Sequence, residues 1–283
     1  MINFPVIDTH VHLWDQGHLS YPWLSGIPLL NRSFLPDDYK KACGNLNVEK
    51  MVFMQCECEP WQYKQEVKWV SGLAGMDTRI QGIISWAPLE KGEGARSEIE
   101  ELKENPLVKG VRRIIQFEPD LEFCLRPDFI RGVNMLTEYD LSFDICISHI
   151  HNKSVIEFLA KCPGVPMILD HIGKPDIKNN QLDPWRNEIR EIAKFPNVYL
   201  KLSSLATEAD QQNWTIEDLR PYANHVIECF GMERIVFGSD WPVVTLAANI
   251  PQCVETILEI MKDCTPEDLQ KVFYQNGQKF YNL

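Results

Sequence analysis

The stretch VIDTHVHLW, residues 6–14, sets the reading of the chain. Val6, Ile7, Val11, Leu13 and Trp14 give it the texture of a strand buried on both faces. His10 and His12 stand two apart in it. Residues i and i+2 of a strand point to the same side, so both imidazoles face one way. They are close enough to share one metal ion or one substrate oxygen.

Seven further short apolar runs follow: KMVFMQCE (50–57), IQGIISWA (80–87), VKGVRRIIQ (108–116), LSFDICIS (141–148), PMILDHI (166–172), VYLKLSS (198–204) and RIVFGSD (234–240). Helical spacing fills the gaps. Tyr63, Val67, Val70 and Leu73 mark 62–76, Ile99 and Leu102 mark 95–104, and Pro127-Asp128 opens 127–139. Residues 153–161, 186–194, 216–230 and 250–261 continue the series, and Thr265 is a natural N-cap for a last helix from Pro266. Buried strands alternating with helices imply a parallel sheet with crossover helices. A doubly wound sheet shares that alternation. Eight strands in about 240 residues favour a closed (β/α)₈ TIM barrel, an α/β fold, as one domain over 1–283. Residues 15–35 form the longest irregular piece. They follow the first strand, which places them over the mouth of a barrel.

Composition narrows the classes. The 283 residues are 45% hydrophobic and 24% charged, an ordinary globular mix. The net charge of −12 and the lack of a basic stripe argue against a nucleic-acid partner. An anionic ligand would need a local cationic patch. Nine cysteines, several inside apolar runs, read as reduced, buried thiols. The N-terminus shows no basic-then-apolar leader and no apolar run reaches the ~18 residues of a membrane span. The expectation is a soluble cytoplasmic protein without a membrane partner. Oligomeric state is not legible.

In such a barrel the reacting groups stand at the C-terminal strand ends. Strand 1 offers His10 and His12. Strand 6 offers His171 in LDHIGKP, and strand 8 offers Asp240 in FGSDWP, with Pro242 stopping further pairing. A carboxylate inside a barrel mouth is costly unless it is paired or working. Closing strand 8 against strand 1 makes Asp240 a neighbour of His10 and His12. Each has a plainer alternative: histidines satisfied in a polar layer, or His171 and Asp240 capping the next helix. Arg112 and Arg113 alternate on strand 4, so one faces inward, and Arg112 is the preferred one. Glu57 ends strand 2 with Gln55 on the same side. Lys201 and Ser203 share a face of strand 7, Trp86 ends strand 3, His149 and His151 follow strand 5, and Trp241 follows Asp240. Arg112, Glu57, Trp86, Lys201, His149 and Trp241 are the candidate substrate contacts, with ordinary packing as the alternative for each.

IDTHVHLWD, the GVRR segment around Arg112, ILDHIGKP and IVFGSDWP together resemble the amidohydrolase superfamily. More narrowly they resemble its sugar-lactonase branch, which includes L-fuconolactonase, L-rhamnonolactonase and 2-pyrone-4,6-dicarboxylate lactonase. The resemblance runs over about 235 residues. It implies hydrolysis of a sugar lactone to the open-chain acid, as of L-fucono- or L-rhamnonolactone. Asp240 would be the base that activates water. His10, His12, His171 and an arginine would hold or polarise the carbonyl. Strand 4 lacks the Lys or Glu that bridges two metals in many amidohydrolases. It offers arginines instead, which stay protonated and do not ligate. A binuclear centre is therefore not expected. The resemblance implies no required cofactor, with a single zinc on His10, His12 and Asp240 as the alternative. Two rivals remain: a metal-dependent non-redox decarboxylase on the same barrel, which needs a strand-5 histidine, and a barrel that only binds.

Overall fold

A computed structural model describes residues 2–283. Eight strands run β1 (Val6–Val11), β2 (Val48–Met54), β3 (Ile80–Ser85), β4 (Val108–Arg112), β5 (Ser142–Ile145), β6 (Met167–Leu169), β7 (Val198–Leu202) and β8 (Ile235–Phe237). They pair in sequence order, every pair parallel. The ring shuts where β8 leads into Trp241. Val11 bridges Trp241 in parallel, His12 N donates to Trp241 O at 2.7 Å, and Asp240 N donates to His10 O at 2.9 Å. Eight parallel strands with returning helices form the expected (β/α)₈ barrel.

The crossover helices are α1 (Pro36–Cys43), α2 (Tyr63–Ala74), α3 (Arg96–Lys103), α4 (Pro127–Met135), α5 (Asn152–Lys161), α6 (Trp185–Ile192), α7 (Ile216–Phe230) and α8 (Ile250–Ile260). The chain ends in α9 (Pro266–Gln270) and α10 (Asn276–Tyr281). Helices α2 to α8 fall where the spacing places them. Thr265 Oγ1 caps α9 by accepting from Asp268 N at 3.2 Å. Helix α1 was not anticipated, because PDDYKKAC carries only Tyr39 and Cys43 as buried anchors. Two anchors one turn apart give too little periodicity to read.

Side chains alternate along each strand. Phe53, Ile83, Val111, Ile145, Leu169 and Phe237 point outward beneath the helices. Val52, Met54, Ile84, Ile168 and Val236 fill the lower interior around Tyr281, which α10 inserts from below. Lys50 Nζ and Lys109 Nζ bond the carbonyls of Leu283 (3.2 Å) and Asn282 (3.1 Å), tying the chain end across that floor.

The strands are shorter than the apolar runs, and the reason lies at their upper ends. Glu57, His171, Ser204 and Asp240 have φ of 52°, 53°, 56° and 57°. Non-glycine residues are held there at a cost of roughly 1–3 kcal/mol each, and such residues gather at working sites. Each leaves the ladder to aim its side chain across the mouth.

Candidate active site

The mouth at the C-terminal ends of the strands encloses about 380 Å³. That suits a small ligand. His12, Glu57, Arg112, His171 and Asp240 line it, together with Trp23, Cys56, Gln116, Cys146 and Lys174. Trp23 comes from the long loop after β1 and is held by Nε1 donating to Cys56 O at 2.8 Å.

At its floor three donor atoms converge. His10 Nε2 and His12 Nε2 are 3.2 Å apart, and Asp240 Oδ1 lies 3.5 and 3.3 Å from them. The other ring nitrogens decide what these atoms offer. His12 Nδ1 lies 2.9 Å from Met54 O, a carbonyl that can only accept. His12 therefore carries its proton on Nδ1 and presents a lone pair at Nε2. His10 has a donor-only neighbour at each ring nitrogen: Arg112 Nη1 lies 3.3 Å from Nε2 and Lys201 Nζ 3.3 Å from Nδ1. Asp170 Oδ1 stands 3.5 Å from Nδ1. The His12 lone pair, His10 Nε2 and a carboxylate oxygen at van der Waals separation need a cation or a proton between them. Tetrahedral zinc at about 2.0–2.1 Å from its ligands sets neighbouring donors about 3.3 Å apart. The three measured edges match one face of that tetrahedron, so His10, His12 and Asp240 fit a single divalent ion. A carboxylate behind His10 is the partner a metal-bound imidazole usually has.

Burial and charge set the protonation states. Burial lowers His10 and His12, and drives His171 to about 3, so the imidazoles stay neutral near pH 7. Burial alone would raise Asp240. The imidazoles of His171, His12 and His10 outweigh it and hold the carboxyl well below the usual range. Asp240 Oδ2 also accepts a hydrogen bond from Ser204 Oγ. The centre thus offers an ionised carboxylate beside neutral rings.

Arg112 is 3% exposed. Nη2 donates to Gln55 O at 2.7 Å and Nη1 lies 3.3 Å from Asp170 Oδ2, while buried Nε has no partner. The residue lines the mouth with donor capacity that its protein partners do not use up. Arg113 turns outward to Glu118 and Glu90. His171 is held through Nδ1 by Ser203 Oγ at 2.8 Å. Gly238 lets β8 press against β1, since a Cβ there would lie 2.7 Å from His10 Cβ.

Four residues expected as substrate contacts stand elsewhere. Trp241 is buried against Phe34 and Tyr39, because the left-handed turn at Asp240 sends the next side chain outward. Lys201 is fully buried one layer below Ser203, bound to Asp144 and Asp170. Trp86 packs on Tyr63 of α2. His149 is tied to Lys174 O (3.1 Å) and lines a neighbouring surface groove. His151, bound to Ser148, is buried away from the centre, so Cys146 and no histidine lines the mouth after β5. Lys174 and Gln116 were missed. Lys174 followed the DHIG signal directly, and its own φ of 45° turns it inward.

An imidazole–carboxylate centre at the C-terminal face of a (β/α)₈ barrel defines a hydrolytic barrel. The chain belongs to the amidohydrolase family, whose model matches residues 7–283. An L-fucono-1,5-lactonase of Burkholderia multivorans is 31% identical over 266 residues, covering 89% of this chain and 86% of that protein. Another, from Burkholderia ambifaria, is 26% identical and covers 98% and 95%. A crystal structure of a Burkholderia multivorans amidohydrolase with bound zinc superposes with a TM-score of 0.89 at 27% identity, over 99% and 100% of the two chains.

Proposed function

We propose that this protein hydrolyses a sugar lactone to the open-chain acid, with Asp240 as the general base. The observation that carries the reading is the convergence of Asp240, His10 and His12 under a mouth that also presents Arg112 and His171. The lactonase relatives, aligned over most of their length, supply the substrate class.

A lactone carbonyl accepts hydrogen bonds from the Arg112 guanidinium and from the ring of His171, and both bonds strengthen as the oxygen gains charge. Asp240 takes a proton from the attacking water. The C–O bond of the ring then breaks, and the proton passes from Asp240 to the leaving ring oxygen. The product acid ionises, so each turnover releases one proton. A positioned base contributes roughly 10²–10⁴-fold, and donors at the developing oxyanion commonly contribute as much. When bound at His10, His12 and Asp240, a divalent ion supplies a Lewis acid and a more acidic water. Glu57, buttressed by Gln55 Nε2 at 2.7 Å, accepts from sugar hydroxyls. Lys174 and Arg112 give the local positive charge that a −12 protein needs to handle a carboxylate product.

The test is proton release across sugar 1,4- and 1,5-lactones, with 6-deoxy members included. Turnover of one group supports the reading and names its substrate. Inactivity on all of them, before and after zinc is added, removes it.

A further inference from the structure

Beneath the centre lies a buried polar chain that the hydrolytic reading does not use. Tyr281 Oη donates to Asp144 Oδ2 at 2.7 Å. Lys201 Nζ donates to the same oxygen at 2.5 Å and lies 2.9 Å from Asp170 Oδ1. Asp170 Oδ1 faces His10 Nδ1 at 3.5 Å, and Lys201 Nζ is itself 3.3 Å from that nitrogen. Asp144, Asp170, Lys201 and His10 are fully buried, and Tyr281 is 2% exposed. The Lys201 ammonium also stands 5.5 Å from the centre of the Tyr281 ring.

Stability does not explain this layer. Replacing buried ion pairs by apolar side chains is often neutral or stabilising. The layer just below shows that this barrel fills itself well with Val52, Ile84, Ile168 and Val236. Asp144 Oδ1 and Asp170 Oδ1 are even left without a hydrogen-bond partner. The chain runs one way, from the C-terminal helix at the floor to the back of His10.

We propose that Lys201 is a positioning residue for the centre, and that α10 sets Lys201 through Tyr281. Lys201 Nζ stands at both Asp170 and His10 Nδ1, and so fixes the place of the His10 ring and which of its nitrogens carries the proton. Asp144 and Tyr281 stop Lys201 from swinging away. The C-terminal segment is thus part of the support of a site on the opposite face of the barrel. This rests on reading His10, His12 and Asp240 as the working centre.

The test compares Tyr281→Phe and Lys201→Met with Ile99→Ala. The last lowers stability from a fully buried position in the helix layer, on α3, away from the chain. The readouts are the His10 tautomer by ¹⁵N NMR, zinc affinity by chelator competition, kcat and KM on the preferred lactone, and thermal unfolding. Lys201→Met is expected to weaken zinc binding and kcat by roughly 10–100-fold, as loss of an outer partner does. Tyr281→Phe, one hydroxyl lighter and the safer folder, is expected to cost about 3- to 10-fold in both at constant KM, below that range because Tyr281 acts one partner further out. It should also mix the His10 tautomers, whereas Ile99→Ala lowers only the melting temperature. Tyr281→Phe with an unchanged His10 tautomer and wild-type zinc affinity overturns the proposal, whatever its melting temperature. If the wild type hydrolyses no lactone, the hydrolytic reading fails separately, and the tautomer still judges the chain.

Discussion

Arg112→Lys keeps the charge and removes the fork. In the native site the guanidinium serves Gln55 O, Asp170 and His10 with its two terminal nitrogens and keeps a buried, unpartnered Nε. An ammonium from the same backbone position has one nitrogen and cannot reach three acceptors and a substrate oxygen together. Losing one preorganised donor to a developing oxyanion costs roughly 2.7–4 kcal/mol, or about 10²–10³ in kcat. Leaving the buried Gln55 carbonyl unpaired costs about 1–3 kcal/mol of stability. Steady-state proton release at saturating lactone gives the first quantity, and denaturant unfolding gives the second. A variant that folds and keeps kcat within threefold of wild type would show that Arg112 does not act on the transition state.

Glu66 of α2 is buried, bonded to Cys56 N at 3.2 Å, and burial raises its carboxyl to about 8. Its raised pKa favours the fold fully below about 4.5, and this contribution disappears as pH rises through 8. The shift amounts to roughly 4–5 kcal/mol for a fully buried group. Glu66→Gln should therefore flatten the loss of stability between pH 4.5 and 8.5, and denaturant midpoints at the two pH values check it. Gly238→Ala pushes a methyl into His10 and should cost about 1–3 kcal/mol while lowering kcat, read by thermal unfolding and turnover. His12→Ala removes one of three converging donors. Chelator competition should show zinc binding weakened by more than the ~10–100-fold that loss of an outer partner costs.

The barrel was legible because each buried strand announces itself as an apolar run, and its eightfold count leaves few topologies. His10, His12, His171 and Asp240 were legible because imidazole and carboxylate at strand ends have few other reasons to be there. What stayed hidden depends on chain direction and depth. Asp240 and Trp241 are neighbours in sequence, yet the φ of 57° at Asp240 aims one at the centre and the other at Phe34. Lys201 and Ser203 share a face of β7 but differ by one layer, enough to turn a candidate contact into a buried support. Nothing in the local sequence around Tyr281 shows that α10 enters the barrel from below. That follows only from how the chain end packs.

The most direct measurement is the kcat of Asp240→Asn on the preferred lactone. The amide keeps the shape and the partner Ser204 but cannot take a proton from water. A fall of at least ~100-fold, with KM and melting temperature near wild type, is the expected result for loss of a general base. Hydrolysis at the wild-type rate by a folded Asp240→Asn protein would contradict the account at its centre.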